Sequence, residues 1–130
     1  MSDVFDEIKK LYKIFKTKPA SEDAIKEAEN RLGRTFPNDY KKYLKQFGAI
    51  SFSNTELTGL NIGKYANVVD VTLREIKLNE NFPKDCIVLE NLGMEGVLIL
   101  INSRGQVFEW RNNTAKKIYD RMAEYLRSKL

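Results

Sequence analysis

Apolar residues Val4, Ile8, Leu11, Tyr12 and Phe15 recur at helical spacing, with Lys9, Lys10, Lys13 and Lys16 between them. This predicts an amphipathic opening helix over residues 1–18, stopped by Pro19. Ser21 then offers an N-cap, Glu22 and Asp23 suit the positive end of a helix, and Ile25, Ala28 and Leu32 form an apolar stripe ending at Gly33. Phe36 and Pro37 lead into a third helix with Tyr40, Tyr43, Leu44 and Phe47 inward and Gly48 as its terminator. From Ala49 the period changes to two: Ile50 and Phe52 alternate with Ser51 and Ser53, and a second short strand is predicted over Glu56, Leu57, Thr58, Gly59 and Leu60. Asn67 caps a fourth helix carried by Val69, Leu73 and Ile76, which ends before Pro83. Three further strands, Cys86 to Leu92, Val97 to Ile101 and Gln106 to Arg111, are joined by short Gly-rich turns and predict an antiparallel meander. Val97 to Ile101 is apolar throughout, the pattern of a central strand covered on both faces. After Asn112 to Thr114 a last helix is predicted, with Ala115, Ile118, Met122, Tyr125 and Leu126 inward. The order gives an α+β fold: a mainly antiparallel sheet of about five strands with N-terminal helices, one mid-chain helix and a C-terminal helix.

At 130 residues the chain suits one domain with one core. Hydrophobic residues make up 42% and charged residues 31%, the balance of a folded chain. The net charge of +4 is unevenly placed. Residues 1–48 carry 11 basic and 8 acidic side chains, residues 49–100 carry 4 and 7, and residues 101–130 carry 7 and 3. An acidic middle thus lies between basic ends, a pattern that serves either as ordinary solvated surface or as complementary patches for a partner. The start of the chain lacks a secretion-signal pattern and no apolar run is long enough for a bilayer, so a cytoplasmic protein without a membrane is expected.

There is no histidine, which removes the commonest general base near neutral pH, and the lone Cys86 cannot pair or build a thiolate metal site. No cofactor, metal or catalytic residue is therefore expected. Glu90, Glu95 and Glu109 lie in or beside neighbouring strands, where two carboxylates can form an acid/base pair or a cation site, although surface glutamates are the commoner outcome. Cys86 sits in an apolar run and reads as core. The lysines at 9, 10, 13, 16 and 18 can contact phosphates, but the spacing puts Tyr12 and Phe15 on a buried stripe, leaving a solvated basic face. Trp110 reads either as core or as an exposed binding anchor.

The run Ala28 to Tyr40, with Leu32, Gly33, Pro37 and Tyr40, followed by Tyr43, Leu44, Phe47 and Gly48, resembles the signature of the SUKH superfamily, the SMI/KNR-like proteins. The likeness continues through Gly59 and Leu60, Thr72 and Arg74, Pro83, Glu90 to Gly96, and Gly105 to Trp110, and so spans roughly residues 21–130, with residues 1–18 preceding it. Leu32, Gly33, Pro37, Tyr40, Phe47, Gly48 and Gly59 are scaffold positions in this reading. The resemblance implies a bacterial immunity protein that neutralises a cognate polymorphic toxin, often a nuclease, by direct binding; other relatives are regulatory scaffolds without a toxin. Inhibitors of basic nucleases tend to be acidic, whereas this chain has a sequence pI near 9.1. Either the toxin is not a basic nuclease, or the acidic middle forms a local patch. The second alternative nominates Glu56, Asp70, Glu75, Glu90 and Glu95 as partner contacts. A nucleic-acid-binding module using the basic ends is a third, weaker expectation.

Overall fold

The computed structural model describes residues 3–11, 13–94 and 96–130. Asp3 caps the first helix, α1 (Val4–Lys9), by accepting the Phe5 N–H at 2.9 Å. The helix ends well short of residue 18. Beyond Leu11 the chain extends into β1 (Ile14–Lys16), which pairs antiparallel with β2 (Ile50–Phe52). Both periods fit this segment, and the ladder to β2 decides between them: Ile14 pairs with buried Phe52 on the inner face, while Phe15 pairs with Ser51 on the outer one. Phe15 is consequently 61% exposed rather than part of a buried stripe, and Tyr12 lies outside the described residues.

The next two helices follow their sequence signals closely. In α2 (Glu22–Leu32) the Ser21 hydroxyl accepts the Ala24 N–H at 3.1 Å, and Gly33 closes the helix with φ +63°. Pro37 caps α3 (Asn38–Phe47), which turns Tyr40, Tyr43, Leu44 and Phe47 into the core. Phe36, Tyr40, Tyr43 and Phe47 form a continuous run of ring contacts at 5.2, 5.4 and 6.2 Å between centroids, and Phe5 of α1 joins it. Burying such rings supplies much of the apolar drive for folding.

β2 turns through Ser53 and Asn54 into β3 (Thr55–Glu56), completing a three-stranded sheet in the order β1-β2-β3. The predicted strand to Leu60 continues only as single bridges, Leu57 to Glu90 and Gly59 to Asn67. Asn67 caps α4 (Val68–Leu78) by accepting the Val69 N–H at 2.9 Å. Its buried face is Val68, Val69, Val71 and Thr72, so the predicted inward Leu73 is instead exposed.

The meander is β4 (Cys86–Asn91), β5 (Leu98–Asn102) and β6 (Val107–Arg111), extended by a fourth strand, β7 (Thr114–Tyr119). Residues 115–119 were expected to be helical; the last helix, α5 (Met122–Arg127), starts only after them. Asn112 and Asn113, both at positive φ (52° and 61°), form a two-residue hairpin turn that sends the chain back along β6. The fold is thus α+β with two antiparallel sheets, of three and four strands, joined beside Leu57 and Glu90.

β5 is buried along its whole length, as its apolar run predicts. On one face of the four-stranded sheet Ile87, Leu89, Ile99, Ile101 and Val107 share a core with α1, α2, α3 and α5. On the other, Cys86, Val88, Leu98, Leu100 and Trp110 pack with Val71 and Phe82. The amino- and carboxy-terminal helices touch, with Arg127 Nε donating to Glu7 Oε2 at 3.2 Å.

Candidate partner-binding surface

The family-like residues of α3 are occupied in holding the two sheets together. The Tyr43 hydroxyl donates to Thr58 O at 2.7 Å and accepts the Ile50 N–H at 3.1 Å. Tyr40 Oη lies 2.9 Å from Thr58 Oγ1, which itself donates to Val88 O at 2.8 Å, and Val88 N–H donates to Thr72 Oγ1 at 3.1 Å. Helix, connecting segment and meander are therefore linked through fully buried hydroxyls, each with a partner, as a dry interior requires. Sequence reasoning placed Tyr40 in the core but missed this chain of hydroxyls, because Thr58 and Thr72 carry no pattern that distinguishes a core threonine from a strand-surface one. Burial drives the phenols of Tyr40 and Tyr43 well above their ordinary range.

Gly48 and Gly59 mark a second junction. A Cβ on Gly59 would stand 2.2 Å from Gly48 O, and one on Gly48 would stand 2.1 Å from Lys18 O. Three backbone segments meet here, tied by Leu60 N–H to Gly48 O at 3.0 Å and Thr17 Oγ1 to Leu60 O at 3.1 Å. Leu32, Pro37 and Phe47 are buried as well. The signature is spent on scaffold, so a partner has to be met by other side chains.

The five acidic candidates do not form one patch. Glu90 is only 3% exposed. Its carboxylate accepts from the Tyr125 hydroxyl and, at 3.4 Å, from the Glu56 N–H, so it is a strut between α5 and the sheets rather than a surface contact. Glu95 lies outside the described residues. Glu56 is exposed on β3, whereas Asp70 and Glu75 are half-buried on α4; five residues apart, they sit on different sides of that helix. Glu75 also accepts from the Asn79 side chain at 3.4 Å.

The catalytic alternatives fare no better. Glu90 and Glu109 occupy one row of the sheet but with Ile99 of β5 between them, about 10 Å of sheet. Glu109 is engaged by Arg111 at 3.0 Å. Among the described residues no group of three or more His, Cys, Asp or Glu could hold a metal. The Cys86 thiol is buried, and burial followed by the nearby Asp85 carboxylate pushes its pKa up to about 12, away from nucleophile chemistry. Trp110 is core, its ring 5.9 Å from that of Phe82. No helix among the described residues is long and apolar enough to cross a membrane.

What the fold does expose is the outer face of β1. Exposed Phe15 borders a groove of about 740 Å³ lined by Leu11, Ile14, Phe52 and the serines Ser51 and Ser53, with Lys13 at its rim. Lys9, Lys10, Lys13, Lys16 and Lys18 are all exposed along this segment, with Lys13 in the groove lining, and among the described residues none of them makes an ion pair. The lysines were expected to form a solvated helical face with the aromatics turned inward. The strand at residues 14–16 brings Phe15 out beside Lys13 instead, with Lys16 on the opposite face of the same edge strand. Glu56 stands in the same cross-strand row, since Phe15 pairs with Ser51 and Ser51 with Glu56.

Comparison with known proteins places this scaffold. The SUKH_5 family, described as SMI1-KNR4 cell-wall, matches residues 1–130. The chain is also 32% identical over 81 residues to Uncharacterized protein YnaB of Bacillus subtilis (strain 168), a match covering 61% of this chain and 56% of that protein. The chain thus aligns with little more than half the length of that relative. With residues 1–130 matched and the signature residues building the junctions of the fold, this chain belongs to the SMI1-KNR4 family of the SUKH superfamily.

Proposed function

We propose that the chain is an immunity protein, which binds a cognate bacterial toxin domain in the cytoplasm and blocks it by direct protein contact, without a cofactor and without catalysis of its own. The family match over residues 1–130 carries this reading, because neutralisation of toxins is what the SUKH resemblance implies for bacterial members. The distribution of roles within the chain supports it: the signature residues serve the scaffold and leave the outer surface to vary with the target. Single-domain action over residues 1–130 is part of the same proposal.

Co-expression with each toxin-like domain found in the genes flanking this chain is the test. The expected outcome is survival of cells that carry both and a complex that copurifies. Cell death at full expression of the chain, with no complex, overturns the reading. The family description mentions the cell wall, which favours a second reading as a regulatory scaffold of the same fold. In that case the chain copurifies with a regulatory protein and gives no protection.

A further inference from the structure

We infer that the outer face of β1, centred on Phe15, is the docking surface and that its occupant is an acidic protein segment with an apolar side chain at its centre. The inference rests on the immunity reading for the identity of the partner, and replaces the acidic contact patch by a basic one.

Three observations carry it. First, the charge is concentrated and unspent: five lysines fall between residues 9 and 18, no acidic residue lies among them, and none is paired among the described residues. Lysines held this closely without counter-ions repel one another, and an acidic surface relieves that repulsion while steering the encounter. Second, Phe15 is 61% exposed beside a groove with Leu11, Ile14 and Phe52 in its walls. An aromatic on the rim of an apolar groove, with Lys13 beside it and the other lysines exposed in the flanking chain, has the layout of an interface anchor within a polar rim. Third, β1 is the edge of its sheet, and no strand among the described residues pairs with its outer side. Its free backbone groups can take an extended segment as an added strand.

The same surface carries one acidic group that favours a partner of mixed charge. Glu56 shares the cross-strand row of Phe15 and Ser51, so a carboxylate faces whatever lies across the outer face. A uniform polyanion such as a phosphate backbone or an anionic bilayer has no cation to offer that carboxylate. A protein segment can meet the lysines with its acidic residues and Glu56 with a basic one.

The experiment compares the wild-type chain with Phe15→Ala and with the double variant Lys13→Glu, Lys16→Glu, which reverses charge beside Phe15 and on the opposite face of the same edge strand. All positions are exposed, so circular dichroism is expected to be unchanged. Against a toxin domain that the co-expression test identifies, Phe15→Ala should weaken binding roughly tenfold, the loss typical of an anchor residue. The charge reversal should weaken it more and flatten its dependence on salt. Wild-type affinity in both folded variants overturns the inference while leaving the immunity reading intact. If the wild-type chain binds no such domain, the immunity reading falls. The docking surface is then judged by NMR titration with a Glu-rich peptide bearing leucines. Shifts confined to residues 13–16 and 51–53, and lost in both variants, uphold it. Absence of such shifts overturns it, as does tighter variant-sensitive binding of poly(U) RNA or phosphatidylserine vesicles.

Discussion

Thr58 is the residue on which most of the interior polar chemistry converges. Its hydroxyl lies between Tyr40 Oη and Val88 O, and its carbonyl accepts from Tyr43. Thr58→Val keeps the shape but removes the hydroxyl, leaving Tyr40 and Val88 O without that partner in a dry site. A loss of about 1–3 kcal/mol is expected, read as a lower urea midpoint at unchanged slope. An unchanged midpoint would show that the hydroxyl is dispensable. Residues of this kind separate what is legible in sequence from what is not. Gly33 and Asn67 announce themselves, because helix ends leave backbone groups that only certain side chains or conformations satisfy. Glu90 and Phe15 do not. A glutamate between Leu89 and Asn91 looks solvent-facing until Tyr125, 35 positions on, supplies its buried partner. A phenylalanine at helical spacing looks inward until the pairing partner at Ser51 sets its face.

At the level of elements, the interior helices and the central meander were readable because their signals are local. The Ser21 cap, the Pro37 entry and the unbroken apolar run of β5 each need only a few neighbouring residues. The first and last segments were misread for a common reason: a lysine-rich amphipathic stretch fits either period, and its pairing partner lies elsewhere. For β7 the local clue was the pair Asn112 and Asn113, the residues that best tolerate the left-handed conformations of a two-residue hairpin. Asn113→Val should therefore cost about 1–2 kcal/mol, since a β-branched side chain is forced to φ 61°, whereas Asn113→Gly should be tolerated. Thermal denaturation of the two variants checks this, and equal melting temperatures would contradict the turn.

For the molecule as a whole, the buried ionisable groups predict an alkaline limit. Tyr40, Tyr43 and Tyr125 hold their protons more tightly folded than unfolded, chiefly through burial, and for Tyr125 also through the Glu90 carboxylate. Cys86 does the same, from an ordinary 9.0 to about 12. Because these folded values are raised, their stabilising contribution is complete below about pH 9 and is lost as pH climbs from 9 to about 12 for the thiol and from 10 upward for the phenols. Tyrosinate absorbance from the buried rings should appear together with loss of helical circular dichroism. A complete tyrosinate signal from an intact fold would refute their burial. The meeting of the two terminal helices bears on how the protein is made. Glu7 and Arg127 are 120 positions apart, so at ordinary rates of synthesis α1 leaves the ribosome on the order of ten seconds before the helix it packs against. During that interval Val4, Phe5 and Ile8 lack part of their native cover, and a chain stopped before Met122 should remain in that state, open to proteolysis at its amino-terminal end. The cover over α1 is therefore completed only once α5 has been made, so a contact 120 positions apart in sequence falls late in folding.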